Sequence, residues 1–160
     1  MKNVLNKILV AISGSDTSIN AAKYGIMLAK SQKLELNVIY VVDTSTIQDL
    51  VMSKIFIQEE SAEYENNLRE NGKRYLNYAE ELAQSKGVKI VKHLKSGAIS
   101  TQILDTAEEI GADMILLGSW EINRSRRDLM SRFHTDIIMD AKIPVLIVKD
   151  NVVEGQFDRF

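Results

Sequence analysis

Residues 8–29 read ILVAISGSDTSINAAKYGIMLA, and the change of period inside this stretch decides the fold. Ile8-Leu9-Val10-Ala11-Ile12 is a continuous apolar run closed by Ser13-Gly14-Ser15, the pattern of a strand buried on both faces. Ile19, Ala22, Ile26 and Ala29 then recur at steps of three and four, which is one apolar stripe of a helix. Ser15 or Asp16 stands where a side chain caps that helix. A strand buried on both faces and followed at once by a helix is the opening of a βα unit, whose next parallel strand has to be reached by a crossover.

The alternation continues along the chain. Residues 36–42, LNVIYVV, return to strand character. From Asp43 to Lys86 there is no strand signal: Ile47 to Ile57 is apolar and loosely periodic, and from Ser61 the chain turns strongly charged. Leu68, Tyr75, Leu76, Ala79, Leu82 and Ala83 mark a helix face that Gly87 should stop. Val88 to Leu94 alternates as a third strand, and Ile99, Ile103, Ala107 and Ile110 form a helical stripe closed by Gly111. Met114 to Leu117 is a second apolar run, ended by Gly118-Ser119. Leu129, Phe133, Ile137 and Ala141 step by four as a last helix, and Pro144, the only proline, opens the strand Val145-Leu146-Ile147-Val148. The order β-α-β-α-β-α-β-α-β predicts an α/β domain over residues 1–150 with a doubly wound parallel sheet and helices on both faces. Residues 151–160 are expected as a loose tail, although Val152, Val153, Phe157 and Phe160 could dock on a partner.

Composition narrows the function classes. With 160 residues the chain is expected to be a single domain with a real core. A net charge of −2 gives no electrostatic reason to expect nucleic acid or an anionic membrane. The absence of cysteine excludes disulfides, thiol nucleophiles and Cys-based metal sites. The N-terminal apolar run is too short for a signal peptide and no stretch approaches a membrane span, so the expected location is the cytoplasm.

In an open parallel sheet, ligands bind outside the carboxyl ends of strands where connections diverge. That places a crevice between Ser13-Gly14-Ser15 and Gly118-Ser119-Trp120, both leading to helix N-termini. Gly14 and Gly118 serve either a phosphate or merely a tight turn; the residues alone leave both readings open.

Three stretches in order, ILVAISGSDTSINAAKYGIMLA, SGAISTQILDTAEEIGADMILLGS and IPVLIVK, resemble the universal stress protein family from about Lys7 to Lys149. The resemblance implies five strands in the order 3-2-1-4-5, an adenine nucleotide α-hydrolase-like fold, and a homodimer through the last strand. An apolar edge at Val145, Leu146, Ile147 and Val148 suits such pairing. It also implies pocket positions at Ser13, Gly14, Val41, Gly97, Gly118 and Ser119. ATP-binding members carry G-x2-G-x9-G-[ST] after the fourth strand, whose glycines let backbone N–H groups close around phosphates. Counted from Gly118, and with the register confirmed by Pro144, the second glycine is Glu121, the third is Ser131 and the Ser/Thr is Arg132. The family's aspartate near the base is Ser13. A carboxylate at Glu121 would repel polyphosphate. A non-catalytic, homodimeric regulatory or protective protein with a remodelled crevice and no cofactor is therefore expected; an ATP-binding member with at most slow hydrolysis is the alternative.

The remaining candidates read as follows. Arg124, Arg126, Arg127 and Arg132 could grip an anion, but Arg124–Asp128, Asp128–Arg132 and Arg132–Asp136 have the spacing of helix-surface ion pairs, and that reading is preferred. His93 and His134, the only histidines, lack metal-ligand spacing; His134 lies beside the altered motif, where it is expected at the surface and, alternatively, could touch a ligand. Trp120 is expected to pack against its loop rather than stack on a base. The serines around the crevice lack a G-x-S-x-G elbow, so no catalytic residue is assigned. Val51 to Ile57 is placed either over the crevice or in an interface.

Overall fold

The computed structural model describes residues 3–120, 131–149, 153 and 155–160. Five strands, β1 (Lys7–Ile12), β2 (Glu35–Asp43), β3 (Ile90–Gly97), β4 (Met114–Gly118) and β5 (Val145–Val148), form one parallel sheet in the order β3-β2-β1-β4-β5. Strand β1 is central: Ile8 pairs with Leu36 on one side and Met114 on the other. Its alternate side chains feed two cores. Ile8, Val10 and Ile12 meet α1 (Asp16–Gln32) and α3 (Gln58–Gln84), while Leu9 and Ala11 meet α4 (Ile99–Ile110) and α5 (Arg132–Asp140). Burial on both faces is why the strand reads as an unbroken apolar run.

Helix α1 starts as expected. Ser15 has extended backbone angles and its Oγ accepts the Ser18 N–H at 3.3 Å, while Asp16 lies in the first turn near the positive dipole end. Three segments differ from the sequence expectation. An additional helix, α2 (Thr44–Met52), precedes α3; Asp43 caps it through Thr46, and it buries Ile47. Strand β3 runs from Ile90 to Gly97 rather than 88–94. Val88 donates to the Ala83 carbonyl as part of the closure of α3, and the ladder to β2 continues through Asp43↔Gly97. Hydrogen bonding to a neighbouring strand, not side-chain alternation, sets those ends.

The third difference is the chain end, expected to be loose. Val153 and Phe157 are 2% and 5% exposed and join the core beneath α1 and α3. Phe157 belongs to a short helix, α6 (Gln156–Arg159). Lys86 and Lys23 place their Nζ atoms 4.7 and 5.6 Å from its ring centroid, so the aromatic is covered by cations on its outer side. Val153 and Phe157 thus dock on their own domain, while Phe160 is exposed and Val152 lies outside the described residues.

Candidate functional site

Strand β1 leads into α1 on one face of the sheet, while β4 is followed by α5 on the other. Between the two strand ends lies a cavity of about 420 Å³, within the usual size of small-molecule sites. Its walls are apolar: Ile39 and Val41 from β2, Ile99 and Ile103 from α4, Leu117 from β4 and Phe133 from α5. Its rim is hydroxylic, with Ser13, Ser15, Thr17 and Ser18 at the start of α1, Ser119 after β4 and Ser131 before α5. Among the described lining residues, His134 is the only one that titrates near neutrality.

The rim at α1 is a closed hydroxyl network. Ser13 N–H donates to Ser18 Oγ at 2.9 Å, Ser18 Oγ lies 2.9 Å from the Ser15 carbonyl, and Ser15 Oγ lies 3.1 Å from both Ser13 Oγ and Thr17 Oγ1. Ser18 is the buried member of this network. Because these groups satisfy one another, the turn keeps its shape without a ligand.

Gly118 has a reason of its own. A Cβ there would lie 2.4 Å from the Thr17 carbonyl carbon and oxygen and 2.7 Å from Ser18 N. The end of β4 and the first turn of α1 touch backbone to backbone, whatever the cavity binds. The Gly118 carbonyl accepts a hydrogen bond from His134 Nε2 at 2.7 Å. A carbonyl can only accept, so Nε2 carries the proton and Nδ1 of the neutral ring holds a lone pair. That lone pair meets Ser131 Oγ, which also caps α5 by accepting the His134 N–H at 3.4 Å. His134 is therefore buried at the cavity wall, not at the surface as its sequence context suggested. Burial lowers its pKa, with the Gly118 bond opposing the shift. Trp120 lines the cavity and packs edge-on to His134 of α5 at 5.7 Å, with Lys149 Nζ, just after β5, 4.8 Å from its ring centroid; the loop it was expected to pack against lies outside the described residues.

Of the positions expected in the pocket, Ser13, Val41, Gly118 and Ser119 line the cavity together. Gly14, Gly97 and Arg132 are not among its lining residues. Gly97 instead satisfies the backbone: its φ is +140°, and a Cβ would approach Gln102 Nε2 to 2.8 Å. Arg132 is the first residue of α5 and forms no ion pair with Asp136. Glu121, Arg124, Arg126, Arg127 and Asp128 lie outside the described residues. Val51 to Ile57 does not line the cavity; Met52, Ile55 and Ile57 are exposed. Ile99, Ile103 and Phe133 were legible only as helix-face residues, because a cavity wall and a core stripe share one period. His93 lies elsewhere, with Nε2 2.9 Å from Asn37 Oδ1, and burial together with Lys95 lowers its pKa against the pull of Glu109 and Glu35. Among the described residues no group of three or more His, Asp or Glu gathers as a metal site, and no helix is long and apolar enough to cross a membrane.

Residues 5–149 match the universal stress protein family. The chain belongs to that family. Universal stress protein MJ0531 of Methanocaldococcus jannaschii is 34% identical over 149 residues, covering 92% of this chain and 84% of the relative. Among solved structures, the hypothetical protein MJ0577 superposes with a TM-score of 0.77 at 24% identity, covering 92% of this chain and 97% of the other. A universal stress protein of Archaeoglobus fulgidus in complex with dAMP superposes with a TM-score of 0.63 at 18% identity, over 92% of this chain and all of the other. These similarities establish for this universal stress protein the sheet order that its sequence resemblance implied.

The two lowered histidines set a pH dependence. Folded pKa values below the ordinary 6.5 mean that the unfolded chain binds more protons in the interval between them. Their contribution to stability is complete above about pH 6.5 and is lost as pH falls through the folded values. Melting temperature should therefore rise with pH across that interval. The slope should flatten in a His93→Gln, His134→Gln double variant; an unchanged slope would assign it to other groups.

Proposed function

We propose that this universal stress protein is a non-catalytic regulatory or protective protein of the cytoplasm, working as a homodimer and holding a ligand other than ATP in its crevice. The observation that carries the reading is Ser131. It stands where the family's phosphate loop has a glycine, and its hydroxyl already takes the His134 N–H and contacts Nδ1. A helix-terminal amide that a phosphate would use is thus occupied from within the chain. The described walls are apolar and the rim is hydroxylic, which suits a ligand with a flat or apolar body and few charges. The homodimer reading is supported by β5, which lies at the sheet edge with Val145, Leu146 and Ile147 half-buried and Val148 buried.

The ATP-binding alternative is favoured by one observation, the meeting of Val41, Gly118 and Ser119 at the cavity as the family pattern implies. Native mass spectrometry of the full chain with ATP or dAMP reads both parts of the proposal in one experiment. The expected result is a dimer that carries no ATP, with no thermal shift at millimolar ATP. A ligand at 100 times its Kd would stabilise the fold by about 2.7 kcal/mol, so binding of physiological strength is readily visible. An ATP-loaded dimer with such a shift would establish the alternative, and a monomer would remove the homodimer. The dAMP arm asks whether the crevice keeps a nucleoside site when polyphosphate is refused.

A further inference from the structure

Ser131 and His134 form a hydroxyl–imidazole pair in a preformed cavity. Gly118 fixes the tautomer by accepting from Nε2–H, leaving the Nδ1 lone pair facing the Ser131 hydroxyl. A nucleophile, a base within hydrogen-bond reach and a third group orienting that base are the elements of an activated serine. Here the orienting group is a backbone carbonyl. Both side chains line the cavity, beside Phe133, Ile99, Ile103 and Leu117.

We propose that Ser131 is a nucleophile that takes an acyl group from a small, uncharged apolar ester or thioester bound in this cavity. Its Oγ attacks the acyl carbonyl as its proton passes to His134 Nδ1. The imidazolium so formed keeps its Nε2–H on the Gly118 carbonyl. Collapse of the tetrahedral intermediate breaks the bond to the alkoxide or thiolate, which leaves with the proton from Nδ1 as an alcohol or thiol. The product is acyl-Ser131. With the His134 amide taken by Ser131 Oγ, the Arg132 and Phe133 amides at the start of α5 are the donors nearest in sequence to the developing oxyanion. The apolar walls select a short hydrocarbon acyl chain. The step is stoichiometric capture, so it goes beyond the proposed ligand-binding function without requiring turnover.

Among the described residues, the groups that meet the imidazole from neighbouring elements are the Gly118 carbonyl and the Trp120 ring, and on its own element Ser131 and Phe133 touch it. Lys149 reaches the Trp120 ring, and Arg132 and Asp136 flank His134 in the helix.

The full chain is incubated with p-nitrophenyl butyrate, and the butyryl adduct is located by intact mass and peptide mapping. One equivalent of p-nitrophenolate and one butyryl group on Ser131 are expected. Ser131→Ala should lose that adduct, and His134→Gln should slow it by about 10²–10⁴-fold, the usual contribution of a general base. The wild-type rate provides a readout that does not depend on the folding of any variant. It should be flat near neutrality and fall on acidification through a pKa below 6.5, as neutral His134 is lost. Butyrylation confined to lysines or other serines would overturn the proposal. So would a rate that climbs with pH without a plateau, or a folded His134→Gln protein that labels at the wild-type rate.

Discussion

Gly118→Ala is expected to destabilise the protein by about 3 kcal/mol or to prevent folding, the upper end of what overpacking costs. The added methyl would meet the Thr17 carbonyl at 2.4 Å, and the obstacle is backbone rather than the end of a flexible side chain. Relief would require the first turn of α1 to leave β4, which would also strain the hydroxyl network through Ser18 and the Gly118 bond to His134. Urea unfolding measures the cost, with Ser119→Ala as the neighbouring control. Ser119 is half-buried and its N–H bonds the Val148 carbonyl, a contact that alanine keeps. A Gly118→Ala midpoint equal to the control's would mean that the two backbones do not meet this closely. The prediction concerns stability in the absence of ligand, so it separates the turn's structural role from any phosphate role.

Phe157→Ala is expected to cost about 3 kcal/mol, the low end for removing a buried phenylalanine because this site is near the surface and can partly collapse. Phe157 is 5% exposed and packs with Val153 against α1 and α3, and its loss also removes two ammonium–ring contacts. In a domain of this size that corresponds to roughly 6–12 °C in melting temperature. Phe160 is 44% exposed, so Phe160→Ala should fall within about 1 kcal/mol. If the two variants melted alike, the end of the chain would be peripheral to the core.

The outcome for Phe157 shows why some segments were legible and others were not. Ile8 to Ile12 and Met114 to Leu117 lie at the centre of the sheet, and burial on both faces leaves an unmistakable apolar run. Phe157 and Val153 are isolated apolar residues in a short segment, where no period distinguishes docking on the domain from docking elsewhere. Ser131 was legible as a departure from the family's glycine, but its capping of α5 and its contact with His134 were not. His134 beside a polar loop looks like a surface residue until the cavity wall and the Gly118 carbonyl are brought against it.

The sequence by itself determined the alternation of strands and helices, the parallel sheet that helical crossovers imply, and the two strand ends that frame the crevice. These follow from patterns repeated over a few residues and from chain connectivity. The strand order came with the family resemblance and was confirmed by the fold. Only the tertiary structure decided that His134 is buried in one tautomer, that Gly118 serves a backbone contact, that β3 ends at Gly97 and that Phe157 belongs to the core. Each depends on groups distant in sequence meeting within a few ångströms, and local periodicity carries no record of such meetings.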